Sequence, residues 1–333
     1  VIPLFFDDSL KIRQEIREKG GLEMKRHVKT VILLIVICII AVVGIFLMRG
    51  KEEKKTDDTA KSTVTEKKST DQKKKAEEEK KPSLIDADGE TLQSRIKVPE
   101  GYERTKEKDG SLGDFLRNYK LMPDGSPVLL YNGQKKAHDS AVCVFAMHLG
   151  DKDLQQCADS VIRVYAEYLR ASGKEDKIAF HFVNGFLCDW PDYKSGKRIS
   201  VNGNQVTWAN SGKASGSDEA FEGYLDTVFT FASTLSLEKE SSPIDISDIK
   251  IGDIFIKGGS PGHVVMVVDT CERDGKKAFL LAQGYMPAQQ FHVLKNDLHE
   301  DDPWYYQDEV TYPFHTPEYT FDEGSLMRPG YLE

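Results

Sequence analysis

Apolar residues fall along this chain in three regimes. Residues 31–48 form an unbroken apolar run that includes Gly44, whereas residues 51–81 are almost wholly polar, with Val64 as their one sizeable apolar side chain. Beyond Leu84 the apolar positions become periodic, and the period separates helix from strand. Leu154, Cys157, Val161, Val164 and Tyr168 recur at spacings of three and four. That face predicts a helix from a cap at Asp151 or Asp153 to about Ala171. A second helix is expected from a Ser217 cap to near Leu237, with Phe221, Tyr224, Leu225, Val228 and Ala232 along its inner side. Short strands are expected over 95–102, 128–131 and 141–149. Residues 177–210 read as a β-rich excursion with Asn202-Gly203 as its hairpin turn.

The densest β signal lies at 251–292, which reads IGDIFIKGGSPGHVVMVVD, a charged turn, then AFLLAQGYMPAQQFH. Runs of β-branched and aromatic residues bounded by Gly, Pro and Asp predict an antiparallel meander. Two polar residues stand where apolar ones would serve: His263 opens the second strand and Gln283 closes the third. A turn over 270–276 would set Asp269 opposite Lys277 and His263 opposite Gln283, within side-chain reach. A two-residue turn at Asp274-Gly275 would instead put them on opposite faces, because one step of slip flips every side chain. After His292 the chain is rich in Pro and aromatics (Trp304, Tyr305, Tyr306, Tyr312, Phe314) without clear period, and an extended tail wrapping the domain is expected.

Composition sharpens the organisation. An uncharged apolar run as long as residues 31–48 has the length of a membrane span and exceeds the apolar core of a cleavable signal. It is therefore expected to be a single signal anchor over 24–49, contacting the lipid bilayer through 31–48, with the short N-terminus inside and the rest outside the cytoplasm. Residues 1–23 precede Met24, the first plausible start, and read either as upstream sequence translated in frame or as a short cytoplasmic tail. Residues 50–83 are expected to be a charged tether, since eleven Lys and nine acidic residues in 51–81 leave nothing to bury. A single charged helix is the other reading of that stretch.

The globular part is 84–333. Beyond Lys81 lie 26 of the 45 basic and 40 of the 54 acidic residues, a net charge of about −14 against −9 for the whole chain. So acidic a domain excludes nucleic acid as its main partner. Cys143, Cys157, Cys188 and Cys271 show no CxxC and no His/Cys ligand spacing, so neither a metal nor a cofactor is expected. Two disulfides among the four are compatible with an outside location, with no pairing specified.

Cys157 lies near the start of its predicted helix. One reading is an inert packed thiol; the other is a nucleophile whose pKa the helix N-terminus lowers. With His263 and Gln283 following in chain order, the second reading has the logic of a papain-like thiol hydrolase: Cys157 attacks, His263 shuttles the proton, Gln283 orients the ring. Trp190, Arg198, Trp208 and Tyr285 are candidate substrate-binding residues, the excursion's aromatics being equally readable as its own small core.

The Ile251-Gly252-Asp253-Ile254-Phe255 run ahead of Gly262-His263-Val264 resembles the segment around the catalytic histidine of NlpC- and CHAP-type cell-wall amidases and endopeptidases. Those enzymes carry a Ser-Gly-like pair after the cysteine, where this chain has Ala158-Asp159. The whole domain resembles the bacterial domain of unknown function 4846 family, on Gln156-Cys157-Ala158-Asp159, Phe182 to Gly185, Ile251-Gly252-Asp253, Gly262-His263 and Gln283 to Gln289 with His292. The expected fold is therefore α+β, a papain-like core of a helix bearing Cys157 packed on an antiparallel meander, preceded by one transmembrane helix. The expected function is an extracytoplasmic thiol hydrolase acting on an amide or peptide bond, with cell-wall peptide or an envelope protein as partner. A non-catalytic binding domain on the same scaffold, or a structural envelope protein, is the alternative.

Overall fold

The computed structural model describes residues 83–332, so the expected start, span and tether lie outside the described residues. In chain order the first elements are α1 (Leu92–Arg95), β1 (Glu103–Arg104), α2 (Leu112–Arg117), β2 (Ala141–Val144) and α3 (Cys157–Ala171). The excursion follows: β3 (Ala179–His181), β4 (Leu187–Asp189), α4 (Trp190–Lys194), β5 (Arg198–Asn202) and β6 (Gln205–Ala209). Then come α5 (Asp218–Phe231), α6 (Thr234–Lys239), β7 (Ser241–Pro243), β8 (Ile254–Lys257), β9 (His263–Arg273), β10 (Lys276–Gln283) and β11 (His292–Leu294). Last are β12 (Tyr305–Tyr306), β13 (Phe314–Thr316), β14 (Tyr319–Phe321) and β15 (Leu326–Pro329).

The fold is α+β. A nine-stranded sheet runs β2-β11-β10-β9-β8-β15-β7, with β1 added against β9 and β12 against β10; the paired strands are antiparallel throughout. Successive side chains of a strand point to opposite faces, and here both faces are covered. On one face Val264, Met266, Ala278, Leu280 and Ala282 pack with Val161, Val164, Tyr165 and Tyr168 of α3. On the other, Val265, Val267, Phe279 and Leu281 pack with Phe314 and Phe321 of the β13–β14 hairpin. Burial on both sides explains why β9 reads as a near-continuous apolar run rather than an alternating one.

Several elements differ from expectation for local reasons. The helix α3 begins at Cys157, not after Asp151 or Asp153. Asp159 accepts the Gln156 backbone N–H at 3.0 Å and closes the first turn. Asp153 is engaged elsewhere, accepting the Ala288 N–H at 2.7 Å. The second helix breaks at Ala232, which is extended, and restarts from a Ser233 cap as α6. Residues 95–102 and 128–131 form no regular strands; they contribute only isolated bridges such as Ile85↔Ile96 and Leu130↔Gln289. The aromatic tail is more than a wrap, since β15 inserts between β8 and β7. Among the described residues no helix is long and apolar enough to cross a membrane.

The β9–β10 hairpin decides the site. Arg273 pairs Lys276 across Asp274 and Gly275, whose φ values of 51° and 76° make the two-residue turn that such hairpins favour. Lys277 therefore faces Glu272 and not Asp269. Left regular, that register would send His263 and Gln283 to opposite faces. It is not regular: Asp269 pairs Leu280 while Val267 pairs Leu281, so Val268 is an extra residue, a β-bulge. The bulge restores the parity and puts the two polar residues on one face.

Candidate functional site

His263 is buried at the start of β9, and its Nε2 lies 2.7 Å from Gln283 Oε1. The pairing is diagonal rather than direct, since the register that joins Ala282 to Met266 carries Gln283 beside Val265. Long side chains bridge that offset. Behind Gln283 the polar chain continues. Its Nε2 donates to Glu318, whose carboxylate also accepts from Lys136 and, at 2.8 Å, from Ser140 Oγ. Lys136 Nζ lies 2.8 Å from Ser140 Oγ and 3.3 Å from His292 Nε2. His292 Nδ1 is 2.9 Å from the Gln290 carbonyl.

The β13–β14 hairpin builds the wall of this pocket of polarity. Glu318 lies in the turn between its strands, and Tyr319 opens β14 with its ring 5.0 Å from the His263 ring. Tyr285 covers the imidazole at 4.7 Å between ring centres and donates its hydroxyl to the Glu318 carbonyl at 3.3 Å. The side chains of Lys136 and Glu318 are only 8% and 11% exposed, and a buried charge persists only when paired and hydrogen-bonded.

Burial pushes His263 down to about 4, opposed by the Gln283 bond and Glu318, and burial joined by Lys136 does the same to His292. Both rings are thus neutral at pH 7. Burial lowers Lys136 as well, with Glu318 opposing. For Glu318, burial acts upward but the hydrogen bonds from Lys136 and Ser140 outweigh it, so its carboxyl is held below the usual range. With three donors aimed at it, Glu318 is ionised.

Cys157 is the first residue of α3, and all four thiols of the described residues are free. The first turn of α3 rests directly on β10's end: a Cβ on Gly284 would lie 2.2 Å from Ser160 Oγ and 2.9 Å from the Gln156 carbonyl oxygen. The N–H groups of Ala158, Val264 and Cys157 itself face the sulfur. The helix start is therefore docked on Val264 and Gly284, the residues that follow His263 and Gln283. Burial nevertheless pushes the thiol up to about 12, and Asp159 adds to it. Among the described residues the imidazole's one hydrogen-bond partner is Gln283; Glu318 and Lys136 act on it only through their charge, and the Cys157 sulfur figures in neither way. Asp159 is pushed up to about 8 by burial, and its Oδ1 is buried without a partner.

The remaining candidates divide. Tyr285 lies against His263, whereas Trp190 is fully buried among Tyr193, Phe221 and Tyr224. Arg198 lies over the Tyr193 ring and donates to the Tyr193 and Lys197 carbonyls, and Trp208 packs on Phe186. These are packing contacts, within the excursion for Arg198 and Trp208 and between the excursion and α5 for Trp190. Sequence reasoning missed Lys136, Ser140 and Glu318. Each sits in a loop or turn with unremarkable neighbours, and only the fold brings residues so far apart in the chain together.

An α+β domain with a histidine, an amide and a carboxylate linked in series along one buried face defines the class of site. The chain belongs to the family described as Domain of unknown function (4846), whose model matches residues 92–328. No curated protein and no solved structure matches it.

Proposed function

We propose that this domain is a papain-like thiol hydrolase that cleaves an amide or peptide bond outside the cytoplasm. The observation that carries the reading is the His263–Gln283 bond at 2.7 Å, next to the backbone on which the α3 N-terminus seats Cys157. In the reaction the Cys157 proton passes to the imidazole as sulfur bonds to the substrate carbonyl carbon. The C–N bond then breaks, and the imidazolium protonates the leaving amine. Water hydrolyses the thioester, returning the thiol and releasing a carboxylic acid. On this reading residues 31–48 anchor the protein in the membrane, the charged stretch holds the domain off it, and the substrate is of cell-wall or envelope-protein type. The test is alkylation of the native protein by iodoacetamide, followed thiol by thiol by mass spectrometry. Cys157 is expected to react far faster than Cys143, Cys188 and Cys271, and equal, slow labelling of all four ends the hydrolase reading.

A second reading, a non-catalytic ligand- or partner-binding domain, is favoured by the thiol's burial-raised pKa of about 12. It predicts that Cys157→Ser leaves function in the cell intact, whereas a hydrolase loses it.

A further inference from the structure

We propose that Glu318 is a positioning residue which, acting through Gln283, fixes His263 with its proton on Nε2 and leaves Nδ1 as the basic nitrogen. The inference deepens the reading of His263 as the proton carrier and rests on it. Its logic is donor and acceptor bookkeeping. An ionised carboxylate only accepts. Gln283 must therefore turn its NH2 to Glu318 and its carbonyl oxygen to His263, as found. That oxygen in turn requires a donor, and the ring atom 2.7 Å away is Nε2. A neutral imidazole has one N–H, so Nδ1 carries the free lone pair.

Lys136 applies the opposite constraint to the second ring. An ammonium only donates, so His292 Nε2, at 3.3 Å, accepts, and the proton of His292 sits on Nδ1, 2.9 Å from the Gln290 carbonyl oxygen. One ion pair, Lys136–Glu318, thus sets two buried histidines in opposite tautomers. Ser140 completes it by donating to Glu318 at 2.8 Å. The chain His263–Gln283–Glu318 needs no direct contact between the carboxylate and the ring, and the intervening amide carries the polarity without placing a charge on the imidazole.

The experiment is long-range proton–nitrogen NMR on the full chain with 15N-labelled histidine, the rings assigned with His263→Asn and His292→Asn. Wild type is expected to show His263 protonated at Nε2 and His292 protonated at Nδ1. Glu318→Gln can present either end of its amide, so Gln283 is freed to turn and His263 should become a mixture of tautomers. His292, still bound to the Gln290 carbonyl, should keep its form and so report that the fold holds. Glu318→Asp should restore the wild-type tautomer at His263. A wild-type His263 protonated at Nδ1 overturns the proposal whatever the variants do, and so does a folded Glu318→Gln with His263 unchanged. Slow alkylation of Cys157 together with the stated tautomers would end the hydrolase reading and leave the role of Glu318 standing.

Discussion

His263 and Gln283 share a hydrogen bond of 2.7 Å because Val268 is one residue too many for its strand. The Asp274-Gly275 turn sets a register in which the two side chains would diverge, and the bulge corrects it by one step. Bulges recur where a strand must re-aim a side chain, and here the side chain re-aimed is His263, a buried polar residue among the apolar side chains of β9. Gln283 then serves two buried groups at once, His263 and Glu318.

That double service makes Gln283→Met a sharp test of the network. Methionine fills nearly the same volume but offers neither donor nor acceptor, so the His263 N–H and one Glu318 lone pair lose their partners. The expected cost is about 1–3 kcal/mol, the usual penalty for a stranded buried polar group. Urea unfolding should register it; a loss below about 0.5 kcal/mol would mean that water replaces the amide without penalty.

The pH profile of Cys157 alkylation separates the two functional readings. A solitary thiol pushed up to about 12 reacts through its scarce thiolate, so its rate rises about tenfold per pH unit through pH 9. A thiol that forms a thiolate–imidazolium pair reacts at a rate nearly flat between the two pKa values of the pair, so a plateau between pH 5 and 8 requires the reacting state to bring the thiol far below 12 and the ring well above 4. The proposed hydrolase predicts the plateau. A continuous tenfold-per-unit rise leaves Cys157 a packed core thiol.

Much of this architecture is legible in the residues themselves. The spacing of Leu154, Cys157, Val161, Val164 and Tyr168 yields α3, and the apolar runs around Asp274-Gly275 yield β9 and β10. Local chemistry that depends on one side chain was not legible: the Asp159 closure that makes Cys157 the first helical residue, and the bulge at Val268. Nor could periodicity find Glu318, whose importance comes from facing Lys136 across 182 residues of chain. Alternation and spacing report which face a residue occupies, not which distant loop will meet it there.

Gly284 is the joint between helix and sheet. Its φ is not left-handed, so conformational freedom is not why glycine stands here; space is. A methyl group at this position would meet Ser160 Oγ at 2.2 Å and the Gln156 carbonyl oxygen at 2.9 Å, the second being rigid backbone. Gly284→Ala should therefore push α3 away from β10 and destabilise the domain by about 1–3 kcal/mol, as overpacking does. Ser160→Ala in the same chain removes the nearer obstacle and should recover part of the loss, leaving the clash with the carbonyl. Full tolerance of Gly284→Ala alone would show that the helix start is not seated as tightly as the contact implies.

Away from the site, Asp269 anchors the other end of the hairpin. It is fully buried and receives Arg104 Nε and Arg117 Nε, each at 2.8 Å. Breaking a buried pair costs more than the pair contributes, because the surviving charge is left without compensation. Asp269→Ala should lose about 3–5 kcal/mol in thermal or urea melts. Replacing Asp269, Arg104 and Arg117 together by apolar residues should cost clearly less than Asp269→Ala alone.

Asp159 links stability to pH through a sign that can be worked out in advance. Its ordinary pKa is 3.8, and burial raises it to about 8 in the folded domain. The folded state therefore binds the proton more tightly than the unfolded chain, so this group's contribution is whole below pH 3.8 and is lost as pH rises toward 8. His263 and His292, lowered to about 4, act in the opposite direction between about 4 and their ordinary 6.5, which masks the effect in wild type alone. Asp159→Asn removes the carboxyl titration and keeps both histidines, so the histidine terms cancel in the difference between the two proteins. An amide oxygen at 159 can still accept the Gln156 N–H that closes the helix. The stability of Asp159→Asn relative to wild type should thus rise with pH from about 4 to 8, by at most about 1.4 kcal/mol per unit, and level off above. Urea midpoints measured at intervals across that range give the slope directly. Parallel curves would mean that Asp159 is ionised in the fold, its buried Oδ1 satisfied by a group or water that keeps the charge.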